Sequence, residues 1–274
     1  MLIQEALKFG ASELHKFPRS LLEAELLLAY TLGVDRIYLH THFLTILDSF
    51  SQKRYLNFIK RRKNYEPIEY IIENVSFYSS EFYISHGALI PRPESEILVD
   101  LALKTIQKNH LKNIAEVGVG SGILSITLAK MLPLCNFSAS DISPEALFNA
   151  YVNKEKFQIS NLTLHKSAYL DFNCGKIKSF DLLISNPPYI KEGFSLPKPL
   201  EYEPKIALFG GEEGDEILHH LIDLAYQLQI PFLICEMGYD QKESIYNYTQ
   251  KFNYKNLEFY KDLANLDRGF ILEF

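Results

Sequence analysis

From residue 113 to the C-terminus, short runs of β-branched and aliphatic residues alternate with longer stretches of helical spacing, and no other feature narrows the fold as far. Strand-like runs fall at Ile114–Val117, Phe137–Ser140, Leu162–Lys166, Asp181–Ser185 and Phe232–Glu236, most of them separated by helical stretches. Parallel neighbours need long crossovers, whereas antiparallel neighbours can be joined by a tight turn. The order therefore predicts βαβ units and a mostly parallel, doubly wound α/β sheet. Two last runs, Leu257–Tyr260 and Gly269–Phe274, flank a polar turn and predict an antiparallel C-terminal hairpin added to that sheet.

The first 64 residues have a different period, with apolar positions at helical spacing and no strand-like alternation. One helix is predicted from Ser20, read as its N-cap, through Leu21, Leu22, Leu26, Leu27, Leu28 and Tyr30 to a stop at Gly33. Another covers Ser51–Lys63, with Lys53, Arg54, Lys60, Arg61, Arg62 and Lys63 on its polar side. A helical bundle over residues 1–74 is expected, followed by a hairpin linker at 75–90 and a sheet domain at 91–274. The linker reads as a hairpin because residues 75–86 are rich in aromatic and β-branched types. The sheet domain opens with Pro91-Arg92-Pro93 and a helix whose first turn holds Glu94 and Glu96, where carboxylates suit the positive end of the helix dipole. Residues 1–90 hold equal numbers of basic and acidic side chains, so the net charge of −6 belongs to the remainder.

That acidic balance argues against a chain that coats nucleic acid by counterion release, and no direct nucleic-acid binding is expected. Three cysteines, Cys135, Cys174 and Cys235, stand in no paired or C-x-x-C spacing, which disfavours a disulfide framework and a structural zinc site. His40 with His42, and His219 with His220, are spaced wrongly to share a metal on one helix face, so no metal is expected. Glu5 and Lys8 interrupt the first ten residues, and no apolar run approaches the ~18 residues that span a bilayer. A cytoplasmic chain without membrane contact, acting as a monomer, is expected.

Three motifs carry chemistry. Glu116-Val117-Gly118-Val119-Gly120-Ser121-Gly122 lies where the first strand of the sheet meets a helix. Its spacing is G-x-G-x-G, because Ile123 occupies the place of the third glycine in a dinucleotide fingerprint. Such a loop lets backbone and helix N–H groups approach a ligand closely; the other reading is a tight strand-to-helix turn with no ligand. Asp141 follows at the end of the second strand, where a carboxylate can accept both hydroxyls of a ribose or, alternatively, start the next helix. Asn186-Pro187-Pro188-Tyr189 ends the fourth strand and would face the same crevice. Its prolines fix φ and present carbonyls in a rigid geometry, Asn186 adds a side-chain carbonyl and Tyr189 a flat ring. Two acceptors and a stacking surface suit a planar NH2 group; a proline-rich turn is the bland alternative.

In this order the motifs resemble the S-adenosylmethionine-dependent amino methyltransferases. More specific are Leu89-Ile90-Pro91-Arg92-Pro93-Glu94-Ser95-Glu96, Tyr202-Glu203-Pro204, Ala207-Leu208-Phe209-Gly210-Gly211-Glu212-Glu213-Gly214 and Lys261-Asp262-Leu263-Ala264. These resemble the peptide chain release factor N5-glutamine methyltransferases of the PrmC or HemK type, from Pro67 to the C-terminus, and Pro91-Arg92-Pro93 favours the release-factor branch over its ribosomal-protein sister. The resemblance implies a Rossmann-like methyltransferase sheet behind a helical substrate-docking domain. It implies S-adenosyl-L-methionine held by Glu116, Gly118, Val119, Gly120, Ser121, Gly122, Asp141, Ile142, Tyr169 and Asn186. It further implies Asn186, Pro187 and Tyr189 as catalytic, with Pro188, Leu89 and Arg92 joining them against the glutamine of a Gly-Gly-Gln motif in class I release factors. The chain departs from the family at Glu116, where Asp is usual, at Ala168, where an acid sometimes stands, and at Glu73, where glycine is common.

Two other functions compete at this point. The same cofactor could serve transfer to the exocyclic nitrogen of adenine in DNA or RNA, after base flipping. A scaffold that binds nucleotide or a partner without catalysis is the other, and it gives no reason for an intact Asn-Pro-Pro-Tyr. The basic run at 53–63 reads first as a solvated helix face and second as a docking surface.

Overall fold

The computed structural model describes residues 1–173 and 179–274, so Cys174 lies outside the described residues. Backbone contacts divide them into two units, one of Met1–Asn74 with Pro197–Tyr202 and one of Val75–Leu196 with Glu203–Phe274.

The first unit is built from α1 (Ile3–Glu13), α2 (Ser20–Leu32), α3 (Arg36–Thr41), α4 (Ser49–Lys63) and α5 (Ile68–Ile72). Their apolar faces close on Ile3, Leu14, Leu27, Leu28, Leu39, Tyr55, Ile59 and Ile71. Helix α2 ends at Gly33 in the left-handed region (φ 66°), as the sequence predicts. Ser20 is its first helical residue and not its cap; Arg19 takes the cap position and makes no side-chain cap bond. Aspartates cap the next two helices: Asp35 accepts from the Tyr38 N–H, and Asp48 from Phe50 and Ser51. On α4 the basic side chains are largely spent inside the unit. Arg61 pairs with Glu66, Arg62 with Glu23 and Lys63 with Glu13, while Arg54 lies 5.2 Å above the Tyr30 and Phe58 rings. His40 reaches Glu25, and His42 stacks on Tyr38. Residues 197–202 join this unit through the Tyr202 hydroxyl, which donates to the Asn64 carbonyl (2.8 Å).

The second unit begins with the hairpin β1 (Asn74–Phe77) and β2 (Ser80–Tyr83), turned through Tyr78 and Ser79, both at positive φ. There follow α6 (Ser95–Asn109), β3 (Asn113–Val117), α7 (Ile123–Met131), β4 (Asn136–Asp141), α8 (Pro144–Lys156), β5 (Leu162–Lys166) and β6 (Leu182–Ser185). Then come the short β7 (Ile190–Lys191) and β8 (Phe209–Gly211), α9 (Glu216–Gln227), β9 (Phe232–Glu236), α10 (Lys242–Thr249), β10 (Asn256–Lys261) and β11 (Asp267–Glu273). Seven strands form one sheet in the order β10-β11-β9-β6-β3-β4-β5. Strands β3, β4, β5, β6 and β9 are parallel, and the C-terminal pair is antiparallel. The expected sheet and terminal hairpin are thus both present, with ends shifted by a residue or two. Strands β3, β6 and β9 are buried almost throughout, as parallel strands covered on both faces require.

Buried asparagines of α8 fasten the hairpin to that helix. Asn153 accepts from the Tyr83 N–H and donates to the Tyr83 and Ser121 carbonyls, and Asn149 accepts from Ser85. Cys135 and Cys235 are buried free thiols. No described helix is long and apolar enough to cross a membrane, and among the described residues no group of three His, Cys, Asp or Glu could hold a metal ion.

Candidate active site

The chain steps from β3 to β4 and β5 on one side, then returns to place β6 and β9 on the other. Such a reversal leaves a crevice at the carboxyl ends of the strands. A cavity of about 230 Å³ lies there, lined by residues from all three motifs.

Its floor is the glycine loop between β3 and α7. Gly118 (φ 74°) and Gly120 (φ 55°) both line the cavity, and a β-carbon on either would meet no other part of the protein within 4 Å. The space their missing side chains leave is open. Val119 and Ser121 also line the cavity, whereas Gly122 faces inward: a β-carbon there would lie 2.7 Å from Ile126 and 3.3 Å from Ala150. Gly122 therefore serves the packing of α7 on α8.

Asp141, at the end of β4, joins two backbones. One carboxylate oxygen accepts from the Gly120 N–H (2.9 Å) and the other from Ser143 (2.9 Å), while Ser143 itself caps α8. Asp141 thus lines the cavity and ties the glycine loop to the residue that starts α8, but the helix cap itself is Ser143 and not Asp141. Burial pushes its carboxyl above the usual range, partly offset by these N–H bonds. Glu116 is 1% exposed. Its longer side chain reaches the first turn of α7, where one oxygen accepts from the Ser125 N–H and hydroxyl. The other oxygen has no partner. Burial, reinforced by Asp141, pushes Glu116 up to about 8 against the lowering Ser125 bonds. Ile142, Ala168 and Tyr169 complete this end of the cavity, and the Tyr169 ring lies 4.0 Å from that of His220.

Asn186, Pro187 and Pro188 line the cavity at the end of β6, with Leu89 and Arg92. Arg92 turns back on its own scaffold, donating to the Ile90 carbonyl (2.6 Å) and pairing with Glu203 (2.5 Å), which also accepts from the Ile90 N–H. Two of the sequence signatures, Pro-Arg-Pro and Tyr-Glu-Pro, thereby meet in one ion pair. Tyr189 points away from the cavity; its ring packs on the core between sheet and α9, and its hydroxyl donates to Glu236 (3.2 Å). Burial, then the Glu236 charge, push that phenol far upward. The Phe-Gly-Gly-Glu-Glu-Gly segment braces the tetrapeptide from outside. Strand β8 pairs with β7, and the Gln241 side chain donates to the carbonyls of Tyr189 (3.0 Å) and Gly214 (2.9 Å).

Two residues were not singled out from the sequence. Ser95, the first residue of α6, lines the cavity and accepts from Asn186 Nδ2 (3.0 Å), while its own hydroxyl donates to Glu236 (2.6 Å). Glu236 ends the otherwise apolar run Phe-Leu-Ile-Cys, and a carboxylate terminating a buried strand was the available signal.

Known proteins bear on this arrangement directly. The PrmC N-terminal domain family matches residues 5–72 and the methyltransferase small domain family residues 95–196. Relatives named release factor glutamine methyltransferase include that of Clostridium acetobutylicum, 32% identical, with 90% of this chain and 88% of that protein covered. The Coxiella burnetii protein of the same name is 33% identical over 97% of this chain and 96% of its own. The Dictyoglomus turgidum protein is 42% identical over 74% and 72%. Among solved structures, the hMettl16 catalytic domain in complex with the MAT2A 3'UTR hairpin 1 superposes with a TM-score of 0.60 at 12% identity. It covers 90% of this chain and 91% of that one, a likeness of fold alone. The chain covers 88% and 96% of the Clostridium acetobutylicum and Coxiella burnetii proteins, and it belongs to the release factor glutamine methyltransferase family.

Proposed function

We propose that this chain transfers a methyl group from S-adenosyl-L-methionine to the side-chain amide nitrogen of a glutamine in class I peptide chain release factors, the glutamine being that of the Gly-Gly-Gln motif. The residues present fit the donor. A buried carboxylate oxygen of Glu116 without a partner suits a cationic ammonium, Asp141 stands where a ribose would offer hydroxyls, and Gly118 and Gly120 leave open the space a ligand needs. Tyr169 and Ile142 offer apolar surface for a planar base. When bound, this group supplies an electrophilic methyl on a sulfonium whose leaving group is a neutral thioether.

The chain's own contribution is orientation. An amide nitrogen is a weak nucleophile because its lone pair is delocalised into the carbonyl. The Asn186 Oδ1 and the Pro187 carbonyl are two acceptors for the two amide hydrogens, and accepting both aims the lone pair. Alignment of this kind can supply ~7–11 kcal/mol of a barrier. The nitrogen becomes strongly acidic as it is alkylated, and it gives up a proton to water. Tyr189, turned into the core, acts by holding the tetrapeptide and not by stacking on substrate. Arg92 shapes the rim through Glu203. The helical unit is the proposed docking domain for the release factor, and a cytoplasmic setting goes with a substrate of translation.

The observation that carries this reading is the engagement of Asn186 Nδ2 with Ser95, which leaves Oδ1 as the free acceptor of a cavity-lining side chain. Incubation of a purified release factor with enzyme and isotope-labelled donor, followed by mass spectrometry, should find one methyl on the Gly-Gly-Gln glutamine. Asn186→Ala should lower kcat by about 10²-fold or more, from loss of the hydrogen bond and of alignment, with donor affinity kept. Label on no glutamine, or native turnover by Asn186→Ala, would overturn the assignment.

A further inference from the structure

The side-chain amide of Asn186 has two faces of nearly equal shape and opposite polarity, and the site works as described only if the oxygen faces the ligand. Nothing in Asn186 itself chooses. The choice is made behind it. Glu236, 1% exposed at the end of β9, has one carboxylate oxygen on the Ser95 hydroxyl (2.6 Å) and the other on the Tyr189 hydroxyl (3.2 Å). Burial pushes the Glu236 carboxyl upward, while the Ser95 and Tyr189 hydroxyls and the Arg268 charge hold it toward the ionised form; ionised, it only accepts, so the single Ser95 hydrogen is committed to it. The Ser95 oxygen is left with lone pairs alone toward Asn186, 3.0 Å away, and only the NH2 face of the amide can meet it.

We infer that Glu236, acting through Ser95, locks the Asn186 amide with its oxygen toward the cavity and thereby sets the preference of the site for an amide over a carboxylate. Ser95 and Glu236 are positioning residues; neither needs to touch the methyl group. With Oδ1 fixed outward beside the Pro187 carbonyl, a glutamine NH2 finds two acceptors, whereas a glutamate in the same place would set its carboxylate against both. Release of the lock lets the amide turn and offer its NH2, which costs orientation of glutamine and removes part of the repulsion of glutamate. The inference rests on the proposed glutamine methylation and adds to it the source of its selectivity.

Ser95→Ala tests it, with Ser95→Thr as the conservative rescue and Ser95→Cys as a volume-keeping variant with a poor acceptor. Donor binding by calorimetry should stay near the native value in all three. On release factor, kcat should fall about tenfold in Ser95→Ala, less in Ser95→Cys, and return toward native in Ser95→Thr. The decisive readout is inhibition by a release factor whose target glutamine is replaced by glutamate. It should bind the Ser95→Ala enzyme about five- to tenfold more tightly than the native or Ser95→Thr enzyme. A merely structural role for Ser95 would weaken both substrates alike. Should Ser95→Ala fail to fold, Ser95→Cys carries the same comparison. Unchanged kcat, or a glutamate-to-glutamine ratio equal in all variants, overturns the inference. Absence of methylation by the native enzyme would instead strike the functional reading beneath it.

Discussion

Gly210 passes so close to Pro188 that a β-carbon on it would lie 2.5 Å from the Pro188 carbonyl oxygen, and it would also strike the Gly214 carbonyl. Both obstacles are backbone, so neither can swing aside. Gly210→Ala must push the Asn-Pro-Pro-Tyr segment, and the expected result is a loss of about 1–3 kcal/mol in stability from overpacking. Donor affinity should survive, because the glycine loop lies elsewhere, while kcat falls. Denaturant melts with steady-state kinetics would check this; a variant with native kcat would show that β8 does not hold the tetrapeptide in place.

Gly120 and Gly122 should fail in different ways. Gly120→Val puts branched carbons into the cavity and forces a β-branched residue to φ 55°, so donor binding by calorimetry should disappear from a chain that still folds. Gly122→Ala strikes Ile126 and Ala150 instead, and its first symptom should be a lowered Tm. Native donor affinity in folded Gly120→Val would refute the glycine-loop assignment.

Glu116 should make both stability and donor binding depend on pH. In the folded chain its carboxyl is pushed from 4.5 to about 8, chiefly by burial. The stability tied to that raised value is whole below the ordinary carboxylate range and is lost as pH climbs toward about 8. Glu116→Gln has nothing to titrate, so its stability relative to native should improve steadily from pH 5 to 8. A cationic ammonium favours the ionised carboxylate, so donor binding near pH 7 should expel a proton from the native protein and none from Glu116→Gln. Calorimetry in buffers of different ionisation enthalpy reads this directly; equal proton release by both proteins would dismiss Glu116 as the ammonium partner.

Deleting residues 1–74 leaves intact every residue of the cavity lining. Donor binding should persist, and kcat/KM on intact release factor should drop about tenfold or more if this unit docks substrate. Equal kcat/KM for the truncated and full-length chains would remove the docking role.

The sheet was legible because each parallel strand announces itself as a short apolar run. Leu162–Lys166 and Phe232–Glu236 have the predicted ends, since a turn or helix signal bounds them on both sides. Helix starts were less legible. Ser20 has the chemistry of a cap but not the backbone for it, while Asp35 and Asp48 cap helices that periodicity alone left blurred. At the site, the cavity gathers Gly118, Asp141 and Asn186 from three strand ends because each motif follows a strand of known direction. The orientation of Tyr189 was not legible. It depends on a hydroxyl contact with Glu236, 47 residues away, and on β7, a strand of two residues that no periodicity reveals. Ser95 escaped notice for the same reason: its partners come from β6 and β9, and no local spacing joins them.

Helix α4 carries six basic residues, yet three close ion pairs within the first unit, Arg54 sits on aromatic rings, and Lys53 and Lys60 are left on its exposed face. A field felt at a distance needs uncompensated charge, and the three ion pairs halve what this helix carries, since an aromatic ring beneath Arg54 does not cancel its charge. A release factor docking on this face would therefore be steered by three cations and not by six. Encounter rates along this face should fall only modestly between dilute buffer and physiological salt.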